Sequence, residues 1–213
     1  MSEKKVTKGQ LVKVAEWLTK VSLDGVGPLS SSKNLAQEYL MDHDYKNNEA
    51  RVKALIKWES AKNFGTGFLT GLGGFITLPV SLPSGMVAAW AVQARMVGAI
   101  AEIYGHSLDE SRVQTAILLC LVESDIAAVL SEAGCKIGEK VSLKLIDKIP
   151  AKVIQKINEL VGFRLVTKAG STGIVNLAKM APFIGGAVSG GVDALSCAAV
   201  GKCAMKMFRP QIG

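Results

Sequence analysis

The sequence predicts an all-α protein: a compact helical bundle with glycine-rich apolar helices and a basic amphipathic helix pair. Three observations point there. Apolar positions recur at three- and four-residue spacing through most of the chain. No stretch shows sustained two-residue alternation bounded by turns, which argues against strands. Apolar residues make up 49% of the 213 residues and aromatics only 6%, with 22 glycines among them. An apolar content of Ala, Val, Ile, Leu and Met set among glycines suits close helix contact rather than an aromatic-lined pocket. With 20% charged residues the chain is also too apolar to be disordered as a whole.

The first helix is expected over 8–22, where Leu11, Val14, Ala15, Leu18 and Val21 share one face. Asp24-Gly25-Val26-Gly27-Pro28 ends it, and Ser30-Ser31-Ser32 reads as a loop. A second helix is expected over 34–41, then a polar turn at Asp42-His43-Asp44-Tyr45. A third covers 48–62, with Val52, Leu55, Ile56 and Trp58 among charges. Residues 1–50 read as an N-terminal amphipathic helical extension, and 51–213 as the main helical domain.

The composition then changes. Residues 63–94 contain no Asp, Glu, Lys or Arg. The run is long enough for a membrane span, which needs about 20 apolar residues. It is diluted by Gly and Thr, however, and Pro79 and Pro83 break it. It reads as a buried or interfacial glycine-rich helix followed by a bend. A second glycine segment, Pro182-Phe183-Ile184-Gly185-Gly186-Ala187-Val188-Ser189-Gly190, echoes it. A helical Gly costs about 1 kcal/mol relative to Ala, so repeated Gly needs a reason. Gly67, Gly71 and Gly74 in the first segment, and Gly186 and Gly190 in the second, are the expected points of close helix contact.

Two further apolar helices are expected, over 84–104 and over 108–130, the second with Asp109 as its N-cap. Asp193 is the sole acid after Glu159, and Arg95 the sole base between Lys62 and Arg112. A charge in apolar surroundings has to be paired or neutralised, so Arg95 and Asp193 form an expected internal ion pair.

The net charge of +7 is uneven. Residues 136–168 hold 8 basic and 3 acidic residues, whereas 63–135 hold 2 and 6. Lys136, Lys140, Lys144, Lys148, Lys152 and Lys156 recur every four residues, the spacing of neighbouring turns on one helix face. Apolar residues fill the gaps, and Pro150 restarts the helix. A solvated face of a bundle accounts for this pattern, and so does contact with an anionic membrane surface; the two are compatible. Nucleic acid is disfavoured, because the block carries one Arg and one aromatic, Arg164 and Phe163.

The four cysteines, at 120, 135, 197 and 203, form no CxxC and have no His nearby, so buried free thiols in a reducing compartment are expected. His43 lies between two acids in a polar turn and His106 follows a helix end. Glu123 and Asp125 are two apart and point to different faces of a helix. There is no HExxH, GxSxG or phosphate-cradling loop, and the glycines at 65–74 lack the Lys-Ser/Thr that such a loop requires. No cofactor, metal or catalytic residue is assigned.

Several of these segments together resemble the EcsC protein family. They are Gly65-Thr66-Gly67-Phe68-Leu69-Thr70-Gly71-Leu72-Gly73-Gly74 with Leu78-Pro79, and Gln93-Ala94-Arg95-Met96-Val97 running on to Tyr104-Gly105. Lys148-Ile149-Pro150, Gly162-Phe163-Arg164 and Pro182-Phe183-Ile184-Gly185-Gly186 with Asp193 complete the set. The resemblance covers 57–208 and implies a bacterial helical protein, without fixing a reaction. Family members often carry an acid shortly after the second proline; here Ser84 and Gly85 stand there. The function expected is a non-catalytic cytoplasmic protein, peripheral at the inner face of the cytoplasmic membrane. Its partner would be anionic lipid, a membrane protein or an envelope complex. A soluble module binding a lipid or apolar ligand between the glycine-rich helices, and a hydrolase without a recognisable motif, are the alternatives.

Overall fold

The computed structural model describes residues 8–64, 84–136, 141–179 and 185–210; the side chains of 8, 62–64, 84, 85 and 169–194 fall outside that description. Nine α-helices are described: α1 (Lys8–Asp24), α2 (Ser32–Met41), α3 (Asn48–Phe64), α4 (Ser84–Ile103), α5 (Ser111–Leu121), α6 (Ile126–Glu132), α7 (Leu143–Ile146), α8 (Ala151–Lys179) and α9 (Gly185–Phe208). A 3₁₀ turn, Glu123–Asp125, joins α5 to α6. Among the described residues there is no strand, and the fold is all-α.

The hub is α4. It packs against α1, α2, α3, α5 and α9. One helix can take five neighbours only if its side chains are short, since interaxial distances of about 8–10 Å depend on the residues at the contact. The sequence supplies Ala88, Ala89, Ala91, Ala94, Ala99 and Ala101, all buried. The stretch Met86–Ile103 is long and apolar enough to cross a membrane, with mean hydropathy 1.3, yet 89% of it is buried inside the protein itself. Its apolarity is that of a core helix. The helices of the N-terminal extension join this same core: Leu11, Val14, Leu18 and Leu35 belong to one buried cluster with Met96 and Ile100.

Glycines mark the tight crossings. A Cβ at Gly98 of α4 would stand 2.3 Å from Ser22 Oγ and 2.4 Å from Ser32 Oγ. One at Gly162 of α8 would meet the Leu11 carbonyl oxygen at 2.3 Å, and one at Gly201 of α9 would meet Ile56 Cγ1 at 2.7 Å. Gly98, Gly162 and Gly201, none of them among the contact points expected from the sequence, therefore stand at close helix crossings. Gly67, Gly71 and Gly74 lie outside the described residues. Gly186 and Gly190 lie in α9, but what surrounds them is likewise outside the description.

Several boundaries differ from the sequence expectation. The second helix begins at Ser32 rather than 34, because Ser31 is an N-cap whose Oγ accepts from the Asn34 amide at 3.1 Å. The helix expected over 108–130 is two helices bent by 103°. At the bend the Val122 and Asp125 amides donate to carbonyls three residues back, at 3.1 and 2.6 Å. Glu123-Ser124-Asp125 supplies polar side chains that compete with the helical backbone. The N-cap of α5 is Glu110, not Asp109. Two helices close in paired bonds over a left-handed glycine: Gly105 (φ 84) and Gly134 (φ 90). In each the following amide, His106 or Cys135, donates five residues back, to Ala101 at 3.0 Å or Leu130 at 2.9 Å.

Candidate functional site: a lysine face beside a groove

The described lysines of the series are divided among separate elements rather than carried on one continuous helical stripe. Lys136 follows the end of α6, Lys144 lies in the single turn of α7, Lys148 precedes Pro150, and Lys152 and Lys156 open α8. Lys140 falls outside the described residues. Among the described residues the first half of the expected helix pair is helical only over α7, and α7 ends for a local reason. The Lys148 and Ile149 amides donate three residues back, at 3.2 and 3.0 Å, and a residue before proline disfavours the helical region. Pro150 does restart the helix: its carbonyl accepts from Val153 at 2.9 Å and from Ile154 at 3.1 Å. All five described lysines are exposed.

On α8 the sequence sorts into two faces. Ile154, Ile157, Val161 and Leu165 are buried at helical spacing. At 3.6 residues per turn, Lys152, Lys156 and Phe163 fall within about 40° of one another on the opposite side. Phe163 is a large apolar side chain left 47% exposed. The outward row is therefore two lysines followed by an aromatic ring. Gly162 seats the helix on α1 beneath Phe163. Arg164 pairs with Glu132 and ties the helix to α6, and Arg112 Nη2 reaches the Ile149 carbonyl at 3.4 Å.

Beside this row α1, α5 and α8 enclose an open groove of about 720 Å³. Val12, Ala15, Leu23 and Leu118 supply its apolar surface, and Lys20, Lys152 and Lys156 its cations. Glu16 and Glu159 stand on the same walls. Asn158 also lines it, with Oδ1 buried and without a hydrogen-bond partner among the described residues.

Arg95 is paired inside the bundle, and the described partner is Glu59 of α3. Its Nη2 donates to Glu59 Oε2 at 2.7 Å, with the two side chains 6% and 0% exposed. Nη1 donates to Ser30 Oγ at 3.1 Å, and Nε has no partner among the described residues. The Asp193 side chain lies outside the description. Nearby, Ser32 Oγ donates to the Arg95 carbonyl at 2.9 Å and shares a 2.9 Å bond with Ser22 Oγ. Burial first, and then the Glu59 charge, push the Tyr39 phenol up to about 12. Glu59 was legible after all: with Val52, Leu55 and Ile56 it completes the i, i+3, i+4, i+7 series that defines the buried face of α3.

The remaining candidates are dispersed. His43 is exposed in the turn after α2. His106 shares a 2.7 Å hydrogen bond with the Phe208 carbonyl and tilts against that ring. Glu123 is raised by burial, with Lys168 opposing. The described thiols are free. Cys120 and Cys197 are buried, while Cys135 and Cys203 are half-buried. The Cys120 thiol, pushed well up by burial, hydrogen-bonds to Cys203, and accepting that bond draws the Cys203 thiol down. No group of three metal-ligating side chains occurs among the described residues.

No curated protein and no solved structure matches the chain. The model of the EcsC protein family matches residues 4–211, further towards the N-terminus than the segments that carried the resemblance, and takes in α1 and α2. The match spans nearly the whole chain, and the protein belongs to the EcsC protein family.

Proposed function

We propose that the protein is a non-catalytic helical protein that associates peripherally with an anionic membrane surface. It does so through the face made by α7, the turn before Pro150 and the start of α8, at the inner side of a bacterial cytoplasmic membrane. The observation that carries this reading is the outward row Lys152, Lys156 and Phe163, together with the exposure of every described lysine of the series.

Local electrostatics gives the row its meaning. The N-terminus of a helix carries a partial positive charge, which favours acids and disfavours cations. The first turn of α8 has no acid, and Lys152 is its second residue. Lys148 lies just before it. These lysines therefore stand where they do not help the helix; an external anion relieves both them and the dipole. Each basic residue near an anionic leaflet contributes about 1 kcal/mol, and the exposed ring of Phe163 adds an apolar contact at the depth of the headgroups.

Fractionation of the native protein between cytosol and membrane tests this reading. In low salt it is expected with the membranes, and in high salt it is released, because surface attraction is screened. Equal distribution in both would contradict a charge-driven surface association.

A further inference from the structure

We infer that the groove between α1, α5 and α8 is a binding site for one acyl chain of a phosphate-bearing amphiphile, a lysophospholipid drawn from the membrane surface. The inference rests on the membrane reading for its source of ligand, but not for its geometry. About 720 Å³ is within the range of small-molecule sites, about 300–1,000 Å³. Along α1 the lining runs from Val12 to Leu23. At 1.5 Å per residue that is about 16 Å, the depth of one leaflet of a hydrocarbon core about 30 Å thick. Val12, Leu23 and Leu118 give the groove its apolar surface.

The polar lining is just as specific. Lys20 of α1 and Lys152 and Lys156 of α8 all line the groove, so cations from two helices border it and suit a phosphate. The two glutamates leave the lining with a net positive charge, which suits an anion and rejects a cation. Asn158 of the same wall has a buried Oδ1 with no hydrogen-bond partner among the described residues, which calls for a donor such as a glycerol hydroxyl. Phosphate, chain and hydroxyl occur together in a lysophospholipid. The outward row of Lys152 and Lys156 adjoins the groove, so a surface-bound molecule has its opening next to lipid headgroups.

The test uses the full chain and monomeric 1-myristoyl-lysophosphatidylglycerol in detergent-free buffer, by calorimetry and native mass spectrometry. One-to-one saturable binding is expected. Thr19→Trp fills the groove from α1, outside the lysine series. It should weaken this binding by about tenfold or more, equivalent to 1.4 kcal/mol, while vesicle association stays at the parent level. Lys20→Gln should weaken it severalfold, again without loss on vesicles. Inorganic phosphate alone and uncharged monomyristoylglycerol should each bind at least about tenfold more weakly. Absence of saturable binding, or unchanged binding in a folded Thr19→Trp, would overturn the site. Val12→Trp serves if Thr19→Trp does not fold. Equal binding of the uncharged lipid would overturn the phosphate assignment. Because Thr19 and Lys20 lie on α1, failure here leaves the vesicle result standing, and failure on vesicles leaves this one standing.

Discussion

Arg95 of α4 donates to Glu59 of α3 across 2.7 Å, and both side chains are withdrawn from solvent. The pair joins the hub helix to α3, and α9 packs against both of these helices. Two charges in that position are tolerable only together. Desolvating either one alone costs several kcal/mol, while their attraction in the interior offsets the loss.

Glu59→Ala should therefore strand Arg95 and destabilise the protein by about 3–5 kcal/mol. Arg95→Met with Glu59→Leu should recover much of that loss, because no charge is left buried. Urea denaturation of Glu59→Leu, Arg95→Met and the variant that combines them gives the coupling energy. Additive single effects would show that the two residues do not depend on each other.

The glycine crossings predict opposite signs at different positions. A Cβ at Gly9 of α1 would have nothing within 4 Å among the described residues, so Gly9→Ala should stabilise by about 0.4–1 kcal/mol. Gly162→Ala drives a methyl group into the Leu11 backbone, which cannot rotate away, and should destabilise by about 1–3 kcal/mol. At Gly201 the obstacle is the Ile56 side chain, so Ile56→Val should recover part of the loss caused by Gly201→Ala. Melting temperatures of these variants report the sign directly. A stabilising Gly162→Ala would remove the close α1–α8 crossing that seats the lysine row.

Much of this fold can be read from residue spacing. The core faces of α1, α3 and α8 follow from apolar residues three and four apart, because a buried face has to recur with the helical period. The break after Leu121 is less legible. Apolar spacing continues through Ile126, Val129 and Leu130, and the three-residue backbone bonds of Val122 and Asp125 that turn the chain leave no mark on that spacing. The lysines illustrate the same limit. A four-residue repeat survives in the sequence, yet three-residue bonds before Pro150 divide the surface among separate elements. Arg95 was legible as a buried charge, and Glu59 falls on the inward face that Val52, Leu55 and Ile56 define, but that these two faces meet is a matter of tertiary packing. The groove had no signature in sequence, since its walls come from three helices distant along the chain.

Tyr39 supplies a prediction in pH. Its phenol is held near 12, against an ordinary value of 10, by burial and by Glu59. Between those values the unfolded chain has released this proton and the folded chain has not. The group's contribution to stability is thus fully present below pH 10 and declines as pH rises towards 12. Ultraviolet difference titration should show a phenolate component with a late midpoint that vanishes in Tyr39→Phe. In Glu59→Gln the midpoint should move down, since one source of repulsion is gone. An unchanged midpoint there would separate Tyr39 from the Arg95–Glu59 cluster.

Phe163→Ser probes the apolar half of the surface. Half of the ring is already exposed, so folding should be unaffected. Loss of its contact with the interface should weaken vesicle association by about tenfold at most, near 1.4 kcal/mol, and the effect should persist in high salt. Tryptophan fluorescence on vesicle titration follows it. A loss that disappears in high salt would mean that the ring acts only through the neighbouring charges.

The most direct measurement is the binding of Lys144→Gln, Lys148→Gln, Lys152→Gln and Lys156→Gln, combined in one chain, to vesicles of phosphatidylglycerol and phosphatidylcholine. These side chains are exposed, so the variant should melt like the parent. At about 1 kcal/mol per lysine, its affinity for anionic vesicles should fall by about 100-fold or more in low salt, and the parent should lose a comparable amount in high salt. A folded quadruple variant that binds anionic vesicles as the parent does would contradict the lysine face as the membrane contact.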